Sequence, residues 1–260
     1  MLEFNTKTVR EIALEAPQTT RIFEEFKIDY CCGGRMPLAE ACRAVGADYA
    51  LVSQKLESLF GDRGEDKDYP ERKTPSELID YIIDKHHVYT TAEIARLTPL
   101  MEKVSRKHGD HHRELLNLHV VFNALAEDLT LHMRKEEMVL FPFIKRMEES
   151  LGAGLSVELP HFRTVQNPVR MMLAEHDAAG DFLRQMRELT NDYRVPPEAC
   201  PSFKALFSGF EELEKDLHRH IHLENNVLFP QAIEMEVKLF SDEDASKNAD
   251  HQCCAGANLF

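Results

Sequence analysis

One phrase occurs twice along this chain. His132-Met-Arg-Lys-Glu136 runs on to Leu140-Phe141-Pro142, and His220-Ile-His-Leu-Glu224 runs on to Leu228-Phe229-Pro230. Each copy follows a further histidine at nearly the same interval, because His87 stands 45 residues before His132 and His176 stands 44 before His220. Such a repeat describes a helical hairpin used twice. A histidine and a glutamate four apart share one helix face, about 6 Å apart along the axis. Two helices of this kind, facing two that each bring one histidine, predict an all-α fold. Its centre would gather four imidazoles and two carboxylates inside an up-down four-helix bundle. The chemistry expected there is a two-metal site.

A single His-x3-Glu is as well explained by a surface pair. Two copies with the same Leu-Phe-Pro at the same offset, each with a matched upstream histidine, are not. Nitrogen and carboxylate donors without thiolate favour iron, manganese or zinc over copper(I) or an iron-sulfur cluster. If each glutamate bridges both metals, four nitrogens, four oxygens and a shared oxo or hydroxo group leave about one open position on each six-coordinate metal. Two carboxylates do not neutralise two divalent cations, so a bridging anion or an external ligand is expected. On the first helix the phase admits either His86 or His87 beside Ile79, Ile82 and Ile83, and the repeat interval favours His87. His222 is turned roughly 200° from His220 and is expected at the surface or against another helix.

The net charge of −14, without a compensating Lys/Arg block, argues against nucleic acid or an anionic membrane surface as partner. The start has no basic-then-apolar pattern and no apolar run approaches a membrane span, so a cytoplasmic location is expected. In that reducing setting the six cysteines, among them the pairs Cys31-Cys32 and Cys253-Cys254, are expected to be redox-active or metal-handling rather than structural disulfides.

Residues 61–73, polar and punctuated by Gly and Pro, read as a linker between a small helical domain (1–60) and the bundle (74–240). Residues 241–260 read as a tail with little means of burying surface. In the small domain, helical patterns follow Thr8, Pro17, Pro37 and Asp48, and the turn Asp29-Tyr30-Cys31-Cys32-Gly33-Gly34 between them is expected to be exposed. Thr74, Pro75 and Glu77 make a helix start. Helix one is expected to reach about Leu97. Helix two should cover Arg113 to Met147 with an interruption at Pro142, helix three about Asn167 to Tyr193, and helix four Ser202 to about Leu239 with Pro230 inside. Phe122, Met133, Phe141, Met171, Met172, Phe210 and Phe229 are expected as packing around the metals.

The Asp29–Gly34 turn, followed by two His-x3-Glu phrases and the run Leu223-Glu224-Asn225-Asn226-Val227-Leu228-Phe229-Pro230, closely resembles the "repair of iron centres" (RIC) family. Its members are iron-sulfur cluster repair proteins with an N-terminal ScdA-like domain and a hemerythrin-like bundle, and the resemblance covers about residues 4–238. It implies a centre of two non-haem iron ions, bridged by oxo or hydroxo and two glutamates. His87, His132, Glu136, His176, His220 and Glu224 match its ligands. Glu175 matches a glutamate associated with the path to the metals. It further implies a role in nitrosative and oxidative stress, with damaged iron-sulfur proteins as partners and nitric oxide or oxygen as small ligands. Two alternatives remain open: a hemerythrin-like oxygen or nitric oxide sensing module, and a nitric oxide reductase. The Cys31-Cys32 pair favours repair, since an oxygen carrier needs no thiol pair, and two chains joined through the small domain could bring four thiolates together. The tail pair Cys253-Cys254 has no counterpart in the resemblance.

Overall fold

The computed structural model describes residues 4–61, 70–158 and 160–240. Most of the expected linker (62–69) and the tail, with Cys253 and Cys254, lie outside the described residues. The fold is all-α, and no strand occurs among the described residues.

Four short helices form the small domain: α1 (Val9–Glu15), α2 (Thr20–Glu25), α3 (Leu38–Val45) and α4 (Tyr49–Gly61). Thr8 caps α1 reciprocally with Glu11. Val9, Ile12, Phe23, Leu38, Val52 and Leu56 close a core of their own.

The bundle has four long helices. α5 begins at Pro75 behind the Thr74–Glu77 capping box and ends at His108. It passes the expected end at Leu97 because Met101 and Val104 continue the buried stripe, and Pro99 is carried inside the helix. α6 runs from Glu114 to Ala153. α7 (Gln166–Thr190) stops before the expected Tyr193, because Asn191, Asp192 and Tyr193 all take left-handed backbone angles, φ 51°, 60° and 55°. α8 starts at Pro201 and is helical through residue 240. Helix α6 packs along α7, and α8 along α5.

Three of these helices widen by one residue. Single π turns occupy Ile83–His87 in α5, Glu136–Leu140 in α6 and Glu224–Leu228 in α8, closed by the N–H groups of Val88, Phe141 and Phe229 bonding five residues back. Two of them sit directly before Pro142 and Pro230. A proline ring clashes with the carbonyl four residues back and offers it no N–H, and a widened turn moves that carbonyl aside. The Leu-Phe-Pro phrase therefore marks a local departure from α geometry, of a kind common at functional sites.

Candidate metal centre

All six side chains singled out from the repeat converge between the two apolar cores of the bundle. His87 and His220 meet Glu136 and Glu224 on one side, and His132 and His176 meet the same two glutamates on the other, with the ligating atoms of each group within 4.8 Å of one another. Both glutamates are fully buried and the four imidazoles nearly so. Nε2 of His132 lies 3.0 Å from Nε2 of His176, and Nε2 of His87 lies 3.2 Å from that of His220. Two nitrogens bound at right angles to one metal, with bonds of about 2.1 Å, would stand about 3.0 Å apart.

The carboxylates fit the same reading. Both oxygens of Glu136 and Oε2 of Glu224 are buried without a hydrogen bond, although imidazole nitrogens stand 3.1 to 3.4 Å from them. Close but misaligned donors and acceptors point toward shared centres rather than at each other. Burial and the charge of Glu224 push Glu136 upward, yet His132 and His87 outweigh them and lower its pKa. Burial would likewise protonate Glu224, but His220 and His176 hold it well below the usual carboxylate range. Deprotonated carboxylates are what a cation requires, and it would displace the proton of His132, where burial lowers the pKa but Glu136 outweighs it and raises it to about 9.

The repeat extends to the residues behind the ligands. Glu137, just after Glu136, accepts from Nδ1 of His87 at 2.7 Å, and Asn225, just after Glu224, accepts from Nδ1 of His176 at 2.7 Å. Phe141 stacks on His87 and Phe229 on His176, with centroids 5.7 and 6.1 Å apart. Glu175, just before His176, accepts from Nδ1 of His132 at 2.9 Å and pairs with Lys135. The equivalent position before His87 is His86, which stacks on His220 at 5.6 Å and bonds Asp216 through Nδ1 at 3.0 Å. There the symmetry breaks, and Nδ1 of His220 is left without a partner.

A bond at Nδ1 fixes the tautomer and aims Nε2 at the metal. Asn225→Ala is therefore expected to weaken metal binding about 10- to 100-fold, read by competition with a chromophoric chelator, without unfolding the bundle. His86 is buried, like His87, but belongs to neither ligand group. His86→Ala should keep its metal and His87→Ala should lose at least half of it; the reverse result would shift the ligand by one residue.

Comparison with known proteins decides the family. The hemerythrin HHE cation binding domain matches residues 78–232, and ScdA_N, a domain of unknown function, matches residues 5–60. The iron-sulfur cluster repair protein YtfE of Yersinia pseudotuberculosis serotype IB (strain PB1/+) is 33% identical over 235 residues, covering 90% of this chain and 100% of the relative. YtfE of Escherichia coli O17:K52:H18 (strain UMN026 / ExPEC) is 35% identical over 233 residues, 89% of this chain and 99% of the relative. This chain belongs to the YtfE family. The resemblance to cluster-repair proteins, drawn from the cysteine turn and the paired His-x3-Glu phrases, is thereby shown.

In this YtfE-family chain the cysteine turn is not exposed, as the sequence suggested, but docked beside the candidate metal ligands. Asp29 shapes the turn by accepting from the backbone of Cys31, Cys32 and Gly33 at 2.9 to 3.0 Å. Gly34 is required because a Cβ there would lie 2.6 Å from the Tyr30 carbonyl. Cys31 is buried and Cys32 half-buried, their sulfurs 3.6 Å apart. Cys32 Sγ lies 3.9 Å from the backbone carbonyl of His176. Asn225, the partner of His176, donates at 3.4 Å to the carbonyl of Cys31. The hydrogen bond from Cys31 to Cys32, then burial, raises the Cys31 pKa, which keeps it a thiol.

Further contacts hold the two parts together. Tyr30 and His218 both donate to Glu24, at 2.9 and 3.0 Å, and Arg10 donates to the carbonyl of Asn226 at 3.3 Å. His222 is 1% exposed beneath Tyr30, where burial pulls its pKa down to about 4. Of the two places expected for it, the surface is therefore excluded, and it packs against the small domain. This docking has no local signature, since its contacts join positions 194 and 216 residues apart. Met171 departs from its expected core position and is 53% exposed. On the opposite side, a cavity of about 210 Å³ reaches His132 and His176 beside Glu175.

Proposed function

We propose that this chain is a non-haem di-iron protein that repairs damaged iron-sulfur clusters during nitrosative or oxidative stress, by donating iron or handling nitric oxide. The observation that carries this reading is the joining of two features in one place: a buried set of four imidazoles and two carboxylates, and a pair of thiols docked on the helix that supplies one of those imidazoles. His87, His132, Glu136, His176, His220 and Glu224 would hold two iron ions, bridged by both glutamates and an oxo or hydroxo group. Iron in that setting supplies exchangeable, redox-active metal with room for a small ligand such as nitric oxide or oxygen.

The chain's own groups define two faces of the site. At the first, Glu175 and Lys135 stand at the mouth of the cavity that reaches His132 and His176, so a small ligand would enter past Glu175. Burial raises the Glu175 pKa, but Lys135 and His132 outweigh it, and the carboxylate stays ionised. At the second, Cys32 is the more accessible thiol and lies nearest His176. It is placed to take iron leaving on that side. Within one chain the thiols already stand beside the ligands, so no second chain is needed to bring them there. No helix among the described residues is long and apolar enough to cross a membrane.

Metal analysis and Mössbauer spectroscopy of the iron-loaded protein test the assignment. Two iron atoms per chain in a coupled pair are expected, with the spectrum changing when nitric oxide is added. One iron per chain, or uncoupled sites, would refute the six-ligand centre.

A further inference from the structure

Four imidazoles face the two metal positions, and three of them are anchored from behind. At the position of His132 and His176, Nδ1 of His132 is bonded to Glu175 at 2.9 Å and Nδ1 of His176 to Asn225 at 2.7 Å. Both partners are themselves held, Glu175 by Lys135 and Asn225 by the carbonyl of Cys31. At the position of His87 and His220 only His87 is bonded, to Glu137, whose side chain is 43% exposed. Nδ1 of His220 is buried and meets no hydrogen-bond partner among the described residues.

The internal repeat shows where the missing partner would stand. Glu175 comes just before His176 and reaches across to His132 of the other hairpin. The corresponding residue just before His87 is His86, and it reaches the corresponding imidazole, His220, with ring centroids 5.6 Å apart. It meets that imidazole with a parallel ring instead of a carboxylate, and its own Nδ1 is bonded to Asp216 at 3.0 Å. A histidine in the place of a glutamate thus leaves His220 without the bond that fixes a ligand's tautomer, aims its Nε2 and raises its basicity.

We propose that the two metal positions are unequal, and that His86 makes the position of His87 and His220 the one that gives up its iron first. The inference rests on the di-iron reading above and names which of the two ions is exchangeable. His86 acts through His220 and is outside both ligand groups, so it is a positioning residue. Glu136 and Glu224 serve both positions alike, whereas loss of a bond behind an imidazole lowers metal affinity about 10- to 100-fold. The bonds behind the imidazoles therefore set the order. Cys32 lies beside His176, at the firmer position, where displacing an anchored ion calls for a competing ligand.

Iron loss from the loaded full chain, reduced anaerobically and mixed with excess ferrozine, tests it. Two phases of one iron each are expected. Loss of shared bridges alone can divide release into two phases, so variants carry the assignment. His86→Glu and His86→Gln each offer an acceptor to Nδ1 of His220 and should slow the first phase about tenfold. His86→Ala offers none and should leave it within about twofold of the parent. Asn225→Ala should leave the first phase as it is and speed the second about tenfold. A first phase unmoved by both His86→Glu and His86→Gln, or sped by Asn225→Ala, would overturn the inference. So would failure of His86→Gln to load two irons, since an added acceptor should tighten the position. Fewer than two irons bound by the parent chain at the outset would instead overturn the di-iron reading.

Discussion

Glu224→Ala and His176→Ala, purified separately after iron loading, are each expected to hold less than half the iron of the parent and to lose the visible spectrum of the paired centre. Glu224 belongs to both ligand groups, so its removal should affect both metals, whereas His176 serves one. The stability consequence differs between loaded and metal-free protein. A ligand present at about 1,000 times its dissociation constant stabilises the native state by about 4 kcal/mol, and Glu224→Ala forfeits most of that. In the metal-free form His220 and His176 outweigh burial and hold Glu224 ionised, so the substitution also removes a stabilising interaction there. Its melting temperature should then fall in both forms, and further in the loaded one. Full iron content and an unchanged spectrum in both variants would sink the assignment.

Replacing both thiols, Cys31→Ser with Cys32→Ser, should leave iron content and spectrum intact while repair of a nitric-oxide-damaged cluster enzyme drops at least tenfold. Serine keeps the size of the side chains in the turn, whose backbone is held by Asp29, so docking onto α8 should survive. The ligand set contains no sulfur. Undiminished repair by this variant would place the function wholly in the bundle. A loss of iron alongside repair would show that the thiols support the centre itself, through Asn225 and His176.

Much of this was legible in the chain because ligand spacing on a helix is a local property. His-x3-Glu puts two donors on one face, and a repeated interval aligns two hairpins, so the all-α class and the six converging side chains followed from periodicity. The residues behind them carried a signal that spacing alone left unread. Glu137 and Asn225 occupy equivalent places in the two copies, as do Glu175 and His86, but their bonds cross between helices and emerge only on packing. Two of the three π turns had a local sign in the prolines of Leu-Phe-Pro, read only as interruptions. The third, Ile83–His87, had none, and it brings both His86 and His87 into the interior, which regular phase could not decide between. The docking of the cysteine turn had no local sign at all. It depends on Tyr30, His222 and Asn226 meeting across most of the chain's length, and the composition of the turn suggested exposure instead.

If repair proceeds by iron donation, the iron that rebuilds a cluster comes from these six side chains. Protein loaded with 57Fe and mixed with an unlabelled, nitric-oxide-damaged cluster enzyme gives the most direct test, with Mössbauer spectra and enzyme activity followed together. Iron donation predicts that the signal of the paired centre declines as an iron-sulfur cluster signal grows in the client, in step with returning activity. Activity that returns while all the 57Fe remains in the bundle would contradict it.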